Sequence, residues 1–200
     1  MPRPLEETIR DAVARFDAAV DRGADRIRSP IADRVFYGLS SACDHGILWH
    51  VLGALRAART RARGDAARFS AAMAIESVVT NVVVKTLFGR RRPERDGTPM
   101  PYGVRVPITS SFPSGHATAA FTAATLLSRD RRGRSRWYGL AALVAASRVY
   151  VRLHHASDVV AGSALGLVLG AMLRPLVPAR PGMSRRRPAV RPGKPPRRCP

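Results

Sequence analysis

The sequence predicts an all-α transmembrane helical bundle of about five spanning helices, preceded by an amphipathic N-terminal helix. Three observations carry this. Five apolar runs fill residues 35–173, and arginines crowd the connections between them. The last run, 159–173 (VVAGSALGLVLGAML), has no charged residue and no polar stripe, whereas a soluble surface helix would show one. The competing reading is a soluble all-α bundle with alanine-rich core helices.

Residues 1–34 hold seven Arg and seven acidic residues. Leu5, Ile9, Ala12, Val13, Phe16, Ala19 and Val20 recur at three- and four-residue spacing, the mark of an amphipathic helix that lies on the membrane interface or packs on other helices. Glu6, Glu7 and Asp11 suit the positive end of its dipole. This opening stretch lacks a continuous apolar core, so a cleaved secretory signal is not expected.

The first run, 35–55, approaches the roughly 20 residues a span needs. The second, 69–88, carries Glu76, Asn81 and Lys85. The third, 115–128, is short unless it extends to either side. The fourth and fifth, 137–153 and 156–173, are joined by little more than His154-His155, and small residues such as Gly162, Gly166 and Gly170 permit close helix approach. Two hundred residues make room for one domain, read as an embedded domain over 35–177 between the N-terminal helix and a tail. The tail, 178–200, has seven prolines, eight basic residues and no acidic one. It is expected to be disordered, and either solvated or drawn to anionic lipid headgroups.

The formal net charge of +20 suits nucleic acid or an anionic membrane surface equally well as a total. Its placement is more telling. Arg56, Arg59, Arg61, Arg63 and Arg68 lie between runs one and two, and Arg129, Arg131, Arg132, Arg134 and Arg136 between runs three and four. With five crossings these fall on one side with the tail, which the positive-inside rule makes cytoplasmic. The chain is therefore expected in the cell membrane, multi-pass, with no nucleic-acid partner. Cys43 and Cys199 form neither a disulfide framework nor a metal cluster.

Three polar clusters fall on the opposite side. Lys85 to Arg90-Arg91-Arg92-Pro93 ends the second run. Lys85 and Arg92 would share a helix face two turns apart if the helix continued, although Pro93 disfavours helix just before it. As boundary residues they would be snorkelling anchors. Ser110-Ser111-Phe112-Pro113-Ser114-Gly115-His116 reads as a turn feeding a helix N-terminus, where an anion binds well. A plain N-cap would also explain Ser114. In the third cluster, Ser147-Arg148 to Asp158, a helical Asp158 could accept from the ring of His154 or His155 and orient it as a base. A capping Asp beside interfacial histidines is the bland reading.

Together the clusters, Lys85…Arg92-Pro93, Pro113-Ser114-Gly115-His116 and Ser147-Arg148…His154…Asp158, resemble in order and spacing the type 2 phosphatidic acid phosphatase superfamily of histidine-nucleophile lipid phosphatases. The resemblance covers about 35–175 and selects His154 over His155. It implies hydrolysis of a lipid phosphate monoester or pyrophosphate through a phosphohistidine. His154 would be the nucleophile, Asp158 its orienting carboxylate, and His116 the acid and then base. Lys85, Arg92, Ser114, Gly115 and Arg148 would hold the phosphoryl oxygens. It implies no cofactor, and no cluster suits a divalent metal. Asp44 and His45, with Asn81, either face substrate or make interhelical hydrogen bonds. Their neighbourhood is similar to short bacterial prenyl-lipid phosphatases, including decaprenylphosphoryl phosphoribose phosphatases. Three other readings remain: a phosphotransferase on the same site, a vanadate-dependent haloperoxidase with the same constellation, and a non-catalytic basic membrane-anchored binding protein.

Overall fold

A single helix sits at the centre of the molecule. The computed structural model describes residues 4–60, 64–94, 100–128 and 131–177. The regular structure among them is entirely helical: α1 (Leu5–Arg26), α2 (Pro30–Ala42), α3 (Ile47–Thr60), α4 (Asp65–Val78), α5 (Gly115–Leu127), α6 (Arg131–Tyr150) and α7 (Ala156–Leu173). The basic tail, with Cys199, lies outside the described residues, as do Arg61, Arg63 and Arg129.

The sequence of α5, GHATAAFTAATLL, is small and uncharged, so neighbours can close on it from every side. Ala117, Thr118, Ala120, Thr122, Ala123 and Ala124 are all buried. The tightest neighbour is α7, whose Gly162, Gly166 and Gly170 recur every fourth residue and so share one face. A Cβ at Gly162 would sit 2.5 Å from the Ser114 carbonyl oxygen, and one at Gly166 2.4 Å from that of Thr118. The glycines thus set the interhelical distance, and Thr122 Oγ1 donates across it to the Gly166 carbonyl at 3.1 Å.

Polar groups are buried beside the apolar core, and many aliphatic ones face outward. Thr80, Thr118, Thr122, Ser147 and Arg148 are buried, while Ile47, Val51 and Leu55 on α3, Ile75, Val78 and Val82 on α4, and Val160 and Met172 on α7 are exposed. Aliphatic surface of this extent is unusual where water is the solvent. Two helical stretches among the described residues, Asp65–Leu87 and Ala156–Leu176, are long and apolar enough to cross a bilayer, with mean hydropathy 1.3 and 1.7.

Three local features depart from the sequence expectations. The first apolar run is not one helix. Ser29 caps the Ala32 N–H at 3.2 Å and Pro30 opens α2, so that helix starts before the run; it stops at Ala42, and His45 (φ +55) and Gly46 (φ +71) turn the chain before α3. The third run does not extend beyond Gly115–Leu127. Beyond Val78, α4 widens into a π-helical stretch over Val79–Val84 and closes with a 3₁₀ turn at Lys85–Leu87. The helix therefore ends five residues before Arg92, and Lys85 and Arg92 share no helix face.

The ends of α5 differ chemically. At its C-terminus Arg56 donates to the Leu127 carbonyl at 2.6 Å and Arg174 to that of Ser128 at 3.2 Å, cations where the helix dipole is negative. Its N-terminus, Gly115, opens on the three motif segments.

α1 packs by its second half only. Leu5, Ile9, Val13 and Phe16 are exposed, whereas Asp17 is buried. Near the helix end Asp25 accepts from Arg152 at 2.6 Å, and Arg28 donates to the Tyr150 carbonyl at 2.8 Å.

Candidate active site

The three motif segments meet in a cavity of about 660 Å3 lined by Asp44, His45, Asn81, Lys85, Gly115, His116 and His154 among others. Of the other sequence-predicted residues, Arg92 and Asp158 adjoin His154, Ser114 precedes Gly115, and Arg148 is fully buried. Arg92, outside regular structure, ties the wall segments together, donating to the carbonyls of Pro107 (3.0 Å), Thr109 (3.1 Å) and Leu153 (2.7 Å). That leaves its Nη1 also 3.2 Å from His154 Nε2.

His154 lies in the turn between α6 and α7. Its Nδ1 is 2.7 Å from the Ser111 carbonyl oxygen. A carbonyl only accepts, so Nδ1 carries the proton and Nε2 holds its lone pair toward Arg92 and the cavity. This differs from the geometry expected of an Asp four residues on. His154 precedes α7, so the helical i,i+4 relation does not apply, and Asp158 Oδ2 stands 3.7 Å from Nδ1, too far for a hydrogen bond. Asp158 instead accepts from the His155 N–H at 3.0 Å and from Arg90 at 2.7 Å. It influences His154 through charge, not as a hydrogen-bond acceptor.

Burial is the largest influence on the His154 imidazole, lowering it from 6.5 to about 3; Asp158 opposes this, and Arg148 and Arg92 reinforce it. A neutral ring is the state a nucleophile needs. The unfolded chain takes up this proton near pH 6.5, and the folded one resists it. The stability from the neutral ring is therefore complete above that value and lost as the pH falls from about 6.5 toward 3. The thermal midpoint in detergent is expected to drop between about pH 7 and pH 4, less steeply in His154→Gln than in the unaltered protein. Equal slopes would contradict this.

The second segment is pinned to the third: Ser114 N–H donates to the Asp158 carbonyl at 3.0 Å, and Ser111 N–H to that of Arg90 at 3.0 Å. Gly115 is closely approached: a Cβ there would lie 3.1 Å from Asn81 Oδ1, a tight contact, and 3.5 Å from Lys85 Nζ, an ordinary one. Asn81 is held by Ser77, donating to its carbonyl at 3.1 Å. His116 faces Asp44, with Nε2 3.0 Å from Oδ1.

Arg148 is fully buried in α6. Its Nη1 donates to Ser40 Oγ, yet its Nε and Nη2, like Ser114 Oγ, have no partner among the described residues. Lys85 feels the charges of both Arg92 and Arg148. Buried donors are normally satisfied; Glu76, Asp158 and Asp44 offset part of the charge of these cations, while the unpartnered guanidinium and hydroxyl groups are left over. The arrangement fits a tetrahedral oxyanion next to His154 Nε2.

Sequence reasoning missed several supporting residues. Arg90 joins Asp158 to Asp17 of α1 (2.8 Å) and to Ser157 Oγ (2.7 Å), and Asp17 also accepts from the Ser157 N–H at 2.8 Å. Ser40 and Ser111 were likewise unassigned. Arg90 stood in plain view within the Arg90-Arg91-Arg92 triplet, but spacing cannot say which arginine turns toward which carboxylate.

Comparison with known proteins agrees with this picture. Residues 65–181 match the PAP2 superfamily. The chain is 35% identical over 136 residues to decaprenylphosphoryl-5-phosphoribose phosphatase of Mycobacterium tuberculosis, covering 68% of this chain and 75% of that protein. It is 39% identical over 93 residues to lipid A 1-phosphatase of Porphyromonas gingivalis, covering 44% of this chain and spanning only 18% of that protein. Among solved structures it is similar to the transmembrane PAP2 type phosphatidylglycerolphosphate phosphatase from Bacillus subtilis (TM-score 0.63, 26% identity, 82% of this chain and 85% of that one). It is also similar to Aquifex aeolicus LpxE (TM-score 0.61, 25% identity, 78% and 93%).

Proposed function

Because the chain belongs to the PAP2 superfamily, we propose that it is a membrane-embedded phosphatase that removes a phosphate from a lipid through a phosphohistidine. The observation that carries this reading is the set of buried donors of Arg148 and Ser114 that lack a partner among the described residues, in a site where His154 holds its unprotonated Nε2 toward Arg92.

His154 Nε2 attacks phosphorus in line, forming the N–P bond as the bond to the leaving oxygen breaks, and His116 gives that oxygen its proton. His116 then takes a proton from water, which attacks phosphorus, breaks the N–P bond and frees inorganic phosphate. Lys85, Arg92 and Arg148, with Ser114 Oγ and the Gly115 N–H, hold the non-bridging oxygens. Positioning and charge neutralisation are most of what phosphoryl transfer requires. The three cations supply the charge a divalent ion would otherwise bring, so turnover is expected to persist in EDTA and to fall with vanadate.

The embedded domain is read as about five crossings over 35–177, with the arginine-bearing connections and the basic tail cytoplasmic and the site on the outer face. Eight basic tail residues suit contact with anionic headgroups, at about 1 kcal/mol each near the surface. The substrate is a lipid phosphate of the kind the relatives' names describe: a phosphorylated prenyl sugar, a lipid A phosphate or a phosphatidylglycerol phosphate.

Phosphate release by the purified protein, measured in EDTA from those three substrates side by side, tests the reading. Hydrolysis of at least one is expected. No release from any, or release only on adding a divalent ion, would overturn it in whole or in its metal-independent part.

A further inference from the structure

Asp44 belongs to none of the three motif segments, yet 72 residues along the chain its carboxylate meets His116, with Oδ1 3.0 Å from Nε2. Both side chains are about one-fifth exposed and face the cavity. A carboxylate accepts and does not donate, so His116 carries its proton on Nε2, and Nδ1 becomes the position that gains and loses one. The contact coincides with the break in the first apolar run: α2 ends, and the short turn Asp44–Gly46, with left-handed His45 and Gly46, places the carboxylate at the head of α5. Charged groups face His116 from three elements: Asp44 from this turn, Lys85 from the end of α4 and Arg148 from α6. Asp44 is the one negative charge among the three.

We propose that Asp44 is the positioning residue of His116, fixing the tautomer that leaves Nδ1 free and supporting the imidazolium that protonates the leaving oxygen. The site then runs on two imidazole–carboxylate pairs: His154 with Asp158 for bonding to phosphorus, and His116 with Asp44 for the proton. This rests on the reading of His116 as the proton donor, and it changes the reading of Asp44, which faces a catalytic ring and not only substrate.

The test compares two soluble phosphate monoesters: dodecyl phosphate, whose alkoxide must be protonated as it leaves, and p-nitrophenyl phosphate, whose phenolate leaves without help. The readout is kcat/KM, which includes steps only through P–O cleavage, so later hydrolysis of the phosphohistidine does not enter. In Asp44→Asn, which keeps the shape and can still accept from Nε2, kcat/KM is expected to fall about 100-fold on the alkyl ester, in the range for losing acid catalysis. The loss on the aryl ester should be at least tenfold smaller. Aryl-ester turnover also shows that the variant is folded, a result that a purely structural role for Asp44 would not combine with selective loss on the alkyl ester. Equal losses on both esters, or no loss on the alkyl ester, would overturn the proposal. His116→Asn separates the underlying reading. If it shows the leaving-group dependence and Asp44→Asn does not, only the role of Asp44 fails; if it shows none, His116 is not the acid and both fail.

Discussion

Replacing His154 with alanine is expected to lower turnover by about 10⁴-fold or more, the scale seen when a covalent nucleophile is removed from an otherwise intact site. His45, His50 and His116 also line the cavity, but the bonds of His154 suit it to the role. The ring is buried, its Nδ1 is committed to the Ser111 carbonyl and its Nε2 points at Arg92. His155, next in sequence, serves as the N-cap residue of α7, its N–H bound to Asp158. The same variant should form no phosphoenzyme when mixed with radiolabelled substrate and quenched in alkali, conditions under which a phosphohistidine persists. Phosphate release by purified His154→Ala at more than a small fraction of the unaltered rate would remove the covalent mechanism.

The second large effect is expected at Arg148. Arg148→Lys retains the charge but loses the planar fork, so it separates electrostatics from geometry. The guanidinium is fully buried and spends one nitrogen on Ser40 while Nε and Nη2 remain unpartnered. A lysine ammonium cannot present two donors in those directions. We expect kcat/KM to fall roughly 10²- to 10³-fold, comparable to removing a preorganised donor from a transition-state site. Vanadate, which occupies the position of the phosphoryl group, should bind more weakly in the same variant. A loss of less than about threefold would mean that the guanidinium does not touch the transferred group.

Much of the fold was legible because helices advertise themselves locally. The fifth apolar run and α7 coincide over 156–173, and the third run and α5 differ by one residue. The motif segments were legible too, since each lies within a dozen residues. What failed were contacts between distant parts of the chain and breaks inside apolar stretches. Hydropathy reports burial and not direction, so a run can be apolar throughout and still turn at Asp44–Gly46. The Asp-His-Gly triplet and the Ser29-Pro30 helix start were readable turn and cap signals. The π-helical stretch left no such mark. It runs between buried Glu76 and Lys85 and contains buried Thr80, and no spacing rule anticipates it. The geometry of Asp158 was only partly legible for a related reason: four-residue spacing gives a hydrogen bond only within a helix, and α7 begins two residues after His154, so the carboxylate stands 3.7 Å from the ring and also takes Arg90 as a partner.

The clasp of Asp17, Arg90 and Asp158 bears on what the smallest working unit is. The region shared with the superfamily begins at residue 65, and all three motifs lie within it. Yet the orientation of Asp158 depends on an arginine whose other hydrogen bonds run to a carboxylate on α1 and to Ser157. Two further contributors, Ser40 and Asp44, come from the segment between. A chain shortened to the shared region would retain each named motif residue and lose the anchor of Arg90, the partner of His116 and a hydrogen bond to Arg148. The homologous segment therefore stops short of Asp17, Ser40 and Asp44, which reach the candidate site from before residue 65.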